Sequence, residues 1–144
     1  MVTRSEMRGL QGWFLNRLGC FPIDQGRPSL ITLRYAVDLL IASQQLVVFP
    51  EGKINRFSEP VMLKKGLIRL AQLASNKGLE IKIVPVGLAY SEVIPKFHGS
   101  ASICFSKPII ISRKFKQSTI DFNIALSKSM RAAEQSALLA VGRR

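Results

Sequence analysis

The residues best equipped for chemistry gather in two short stretches, Asp24-Gln25-Gly26-Arg27 and Glu51-Gly52-Lys53-Ile54-Asn55-Arg56. Each sets a carboxylate close to a glycine and follows it with cations. Such a set can hold a phosphate: glycine lets the backbone come close, and charged side chains make charge-assisted hydrogen bonds to the oxygens. Arg27 and Arg56 are each able to bind two oxygens at once. The same composition also suits solvated turns that merely connect elements. Spacing alone leaves both readings open.

Other chemistries find less support. His98 is the only histidine, no Asp close to it in sequence would orient the ring, and Ser100 shares its loop without a Gly-x-Ser-x-Gly elbow. The sequence holds no phosphate-loop Gly-Lys-Ser/Thr, no dinucleotide-binding glycine fingerprint and no Cys/His metal pattern. No catalytic residue and no metal ligand is therefore assigned. Cys20 and Cys104 lie in apolar runs and are expected to be small buried thiols in a reducing compartment rather than a disulfide.

The elements that must position these stretches follow from apolar spacing. Residues 5–18 place Met7, Leu10, Phe14 and Leu18 at helical intervals, with Gly19 as the stop. Cys20 to Asp24 reads as a short strand ending in the first carboxylate. Ser29 caps an apolar helix running to about Ala42, most of which is expected to be buried. Gln45 to Phe49 is β-branched and too brief for a helix, so it is expected as a central strand leading into Glu51. From Met62 to Asn76 a helix turns Leu63, Leu67, Leu70, Ala71 and Ala74 inward and Lys64, Lys65, Arg69 and Gln72 outward. Gly66 within it suggests close packing on the Glu51 loop.

Ile81 to Gly87 reads as another core strand, with Pro85 near the end where pairing fails. Ala101–Phe105 and Ile109–Ser112 follow as two shorter strands. A last helix, 118–140, opens on the capping-box-like Ser118-Thr119-Ile120-Asp121. This alternation predicts a single α/β domain over residues 1–144, with a largely parallel central sheet flanked by helices. Ligand groups should then collect beyond the strand ends at Asp24, Glu51 and Pro85.

Composition agrees with a folded domain: 47% of the 144 residues are hydrophobic and 21% charged. The net charge of +12 favours anionic partners. Basic positions are scattered over several elements rather than concentrated on one helix, which disfavours nucleic acid. They suit an anionic membrane surface, where each basic residue held close contributes about 1 kcal/mol. No apolar run approaches the roughly 20 residues that span a bilayer, and residues 1–8 carry no signal-peptide core. A cytoplasmic protein, peripheral on the membrane, is the expectation.

Together the blocks resemble the glycerolipid acyltransferases over nearly the whole chain. Gly19-Cys20-Phe21-Pro22-Ile23-Asp24-Gln25 is similar to that family's second block, Phe49-Pro50-Glu51-Gly52 to its third and Val84-Pro85-Val86 to its fourth, all in the family's order. The resemblance implies transfer of a fatty acyl group to lysophosphatidate or a related glycerol phosphate. Acyl-coenzyme A or acyl carrier protein would be the co-substrate, with no separate cofactor. It further implies acceptor-side roles for Asp24, Arg27, Glu51, Gly52, Lys53 and Arg56, and a donor-side role for Pro85. In two places the blocks depart from the family's pattern. The second-block arginine is Gln25 here, and the third block continues as Lys53-Ile54-Asn55-Arg56.

The family's first block, Asn-His-x-x-x-x-Asp, supplies the general base, and these 144 residues contain no such pattern. The expectation is an acyltransferase domain incomplete at its amino-terminal side, with little or no transfer on its own. Loss of a general base typically costs ~10² to 10⁴ in rate. The alternative expectation is a non-catalytic basic protein that binds anionic lipid or lysophospholipid.

Overall fold

A computed structural model describes residues 2–3, 7–23, 29–52, 63–113 and 118–143. It divides into two compact units. The first holds strand β1 (Val2–Thr3), helix α1 (Gly9–Arg17), strand β2 (Pro22–Ile23) and helices α2 (Leu30–Ile41) and α3 (Gly66–Asn76). The second holds strands β3 (Ile81–Ile83), β4 (Val86–Tyr90), β5 (Ala101–Phe105) and β6 (Ile109–Ile111), and helix α4 (Thr119–Ala140).

Local chemistry sets the helix ends. Ser29 and Ser118 cap α2 and α4, their hydroxyls accepting from the backbone N–H of Thr32 and of Asp121, both at 3.1 Å. All four helices close with the same pair of backbone bonds. In α1, Gly19 N–H donates to Asn16 O and Cys20 N–H to Leu15 O; in α3, Gly78 and Leu79 donate to Ser75 and Ala74. That closure needs a left-handed residue. Gly19, Gly78 and Gly142 supply it after α1, α3 and α4, whereas after α2 it falls on Ser43, at φ +58°.

In the first unit α2 packs against α3, burying Leu33, Ala36 and Val37 on one side and Ile68, Leu70, Ala71 and Ala74 on the other. Lys64, Lys65, Arg69 and Gln72 face solvent as their spacing predicts. One expectation fails here: only one stripe of α2 is buried, with Leu30, Ile31 and Tyr35 exposed. The apolar positions Leu10 and Phe14 of α1, and Leu18 just after it, are exposed too. Apolar periodicity marks a face that gains from cover; it does not encode what covers it. Arg17 instead lies over the exposed Trp13 ring, 4.9 Å from its centre.

The second unit corrects the sheet. β3 pairs with β6 and β4 with β5, both antiparallel, and parallel pairing among the described residues is confined to the two-residue β1–β2 contact. The mixture of helix and strand is as expected; a largely parallel central sheet is not observed. Parallel neighbours need a crossover of a dozen or more residues, whereas β4 and β5 are joined by residues 91–100 alone, which suffices for a hairpin. Pairing fails at Pro85 as predicted, but the chain resumes as a strand at Val86, so the expected single strand is split into β3 and β4. Residues 84–85 face 106–108 across the ribbon, so the second strand carries one additional residue, a bulge at which Ser106 N–H donates to Pro85 O at 2.9 Å.

Helix α4 covers one face of β4–β5 and buries Phe122, Leu126, Ala133 and Ala137. Contact is close at Gly87, where an added Cβ would lie 2.2 Å from the backbone of Ala133 and Glu134. On the ribbon's opposite face Val86, Leu88, Ile103 and Phe105 are exposed.

Candidate functional site

The third block folds into a turn that its own residues dictate. Proline fixes the second position, glycine takes the fourth, and Gly52 N–H donates to Phe49 O at 3.3 Å with Gly52 at φ +68°. Pro50 is buried, Phe49 is exposed, and Glu51 and Gly52 are half-buried. The turn is tied to the approach to α3, because Lys64 N–H donates to Pro50 O at 2.8 Å. Nothing in the sequence singles out Lys64 for this, since the group involved is backbone.

The run leading into the turn differs from expectation. Residues 44–49 form no strand with any other described segment. A β-branched run becomes a strand only when a neighbour takes up its backbone hydrogen bonds, and that neighbour is not encoded locally. Gly66 also departs from its predicted role: among the described residues an added Cβ there would meet nothing within 4 Å, the Phe49–Gly52 turn included.

Of the other predicted site residues, Asp24, Arg27, Lys53 and Arg56 lie outside the described residues. The described part of the second block has Gly19 closing α1 and Pro22–Ile23 paired in parallel with Val2–Thr3. The ring of Phe21 meets that of Tyr35 edge-on, 5.1 Å between centres. Pro85 is buried in the second compact unit, at the ribbon's bulge. Glu51 and Gly52 are thus the predicted site residues that share one described turn.

His98 sits on the exposed β4–β5 loop at φ +71°, its ring against Phe97 with 4.4 Å between centres. Cys20 and Cys104 are free and half-buried. Among the described residues no group of three or more His, Cys, Asp or Glu is placed to hold a metal ion, and no helix is long and apolar enough to cross a membrane.

Comparison with known proteins adds two findings. The sequence pattern of the acyltransferase family matches residues 1–89, more than half of the chain and a span that includes all three blocks. A 1-acyl-sn-glycerol-3-phosphate acyltransferase of Streptococcus pneumoniae (strain ATCC BAA-255 / R6) is 34% identical over 76 residues, which is 52% of this chain and 25% of that protein. The aligned part thus spans about a quarter of the relative's length. No solved structure matches the chain.

Proposed function

The chain belongs to the acyltransferase family, and on that premise we propose that it forms the acceptor side of a glycerolipid acyltransferase site. The acceptor is lysophosphatidate or a related glycerol phosphate, and the donor an acyl thioester of coenzyme A or acyl carrier protein. The observation that carries this reading is the Phe49-Pro50-Glu51-Gly52 turn, which sets a half-buried carboxylate and a left-handed glycine just ahead of Lys53 and Arg56 in sequence.

In the reaction the acceptor hydroxyl oxygen attacks the thioester carbonyl carbon. A C–O bond forms, the C–S bond breaks, and the departing thiolate takes up the proton that the hydroxyl gives away. Arg27, Lys53 and Arg56 hold the acceptor phosphate, with Asp24 and Glu51 orienting those cations. Gly52 lets the backbone approach the phosphate, and Pro85 shapes the donor side.

The base that takes the hydroxyl proton is not assigned to any of the 144 residues, which contain no Asn-His-x-x-x-x-Asp. They are therefore expected to release almost no thiol from acyl-coenzyme A in the presence of lysophosphatidate. Turnover near the rate of an intact relative would contradict this. The same absence, with the charge of +12, favours a second reading as a basic protein that binds anionic lipid without catalysis. A non-transferable thioether analogue of acyl-coenzyme A separates the two. Saturable binding supports the acyltransferase site, and failure to bind supports the lipid-binding reading.

A further inference from the structure

We propose that the loop joining β4 to β5, residues 91–100, is a docking tip that enters the interfacial region of an anionic lipid bilayer. The proposal rests on the reading above, in which the substrates are lipids. Loops in water are normally polar, yet Phe97 is 91% exposed and Val93 and Ile94 are each 73% exposed.

These side chains stand out from a closed loop. Ser91 N–H donates to Ser100 O at 2.8 Å, Ser100 N–H to Ser91 Oγ at 3.1 Å and Gly99 N–H to Lys96 O at 3.0 Å. His98 takes a left-handed backbone conformation, which histidine adopts more readily than most side chains, and its ring packs against that of Phe97. The loop is thus ordered with its apolar residues outward.

The charges at this end of the unit suit an anionic surface. Glu92 is the loop's one acidic residue and is paired with Lys96 at 2.5 Å, so it presents no unopposed negative charge to a lipid surface. At the root, Arg143 Nη1 donates to Tyr90 O at 2.9 Å and brings a guanidinium to the base of the loop. Apolar side chains on the loop, with Tyr90 and the Arg143 guanidinium at its root, match the sequence of environments from acyl chain to anionic headgroup. A protein partner fits less well. A stable interface needs on the order of 800 Å² of matching surface per partner, whereas a bilayer needs no matching shape.

The test is flotation of the full 144-residue chain with phosphatidylcholine vesicles, with and without phosphatidylserine. Variants are Phe97→Ser and the triple Val93→Ser, Ile94→Ser, Phe97→Ser, with circular dichroism to verify folding. A second probe places a fluorophore at the tip as Phe97→Trp in a Trp13→Phe background.

The wild type is expected to float with the anionic vesicles. Phe97→Ser should weaken partition by about tenfold and the triple variant by about a hundredfold or more. The Phe97→Trp emission should shift to the blue on vesicles and be quenched by brominated lipid. Wild type and triple variant floating alike would overturn the tip while leaving a lipid-acting protein in place. Failure of the wild type to float would overturn both the tip and membrane association. A blue shift that grows with protein concentration in the absence of lipid would overturn the tip in favour of a second copy of the chain.

Discussion

Replacing Gly87 by alanine tests the packing of α4 on the ribbon just beyond the fourth block. The added Cβ would lie 2.2 Å from Ala133 C and Glu134 N and 2.4 Å from Ala133 O, all backbone atoms of α4 that no rotamer change can move aside. Carbon atoms pack comfortably at about 3.5–4.0 Å, so the helix would have to retreat by more than about 1 Å. Retreat would loosen the layer that Phe122, Leu126, Ala133 and Ala137 bury. Overpacking of this kind costs about 1–3 kcal/mol. A clash with backbone falls at the upper end of that range, and alanine's smaller unfolded-state entropy returns about 0.4–1 kcal/mol, which leaves a net destabilisation of about 2–2.6 kcal/mol. Urea denaturation followed by circular dichroism reads this directly, and the midpoint should fall with little change in slope. A Gly87→Ala protein as stable as the wild type would refute the close helix–sheet contact.

Three further substitutions probe the helix ends. Ser43→Gly should stabilise the chain by about 1 kcal/mol, because it relieves the one helix closure carried by a non-glycine left-handed residue; a lower unfolding midpoint would contradict it. Ser118→Ala removes the hydroxyl that accepts from Asp121 N–H and donates to Asp121 Oδ2, and should cost about 1 kcal/mol by the same measurement. Gly66→Ala meets nothing within 4 Å among the described residues at the start of α3, so it should be neutral or stabilising by up to about 1 kcal/mol. A loss of stability there would restore the close approach to the Glu51 turn that the sequence suggests.

What was legible in the sequence was local. Ser29 and Ser118 as caps and Gly19 as a stop are each encoded by a few adjacent residues whose conformational preferences decide the outcome. Strand partners were not legible, because a ladder is a contract between distant segments. Gln45 to Phe49 has strand composition and no ladder among the described residues, and the run from Ile81 looked like one strand although Pro85 splits it. Ser43 escaped notice because serine carries no signal for a left-handed closure. The candidate site divides the same way. Glu51 and Gly52 share a turn their own sequence builds, whereas Pro85 sits at a bulge fixed by the pairing of distant strands.

The central claim, a phosphate-holding acceptor side, is tested most directly by titrating the chain with lysophosphatidate and with the matching monoacylglycerol, which lacks the phosphate. Both are kept below their micellar concentrations. Hydrogen bonds to a charged group contribute about 1.5–3 kcal/mol, so lysophosphatidate should bind at least about tenfold more tightly. That preference should disappear in the Arg27→Ala, Arg56→Ala double variant. Equal affinity for the two ligands, or a preference that survives the double substitution, would contradict the account.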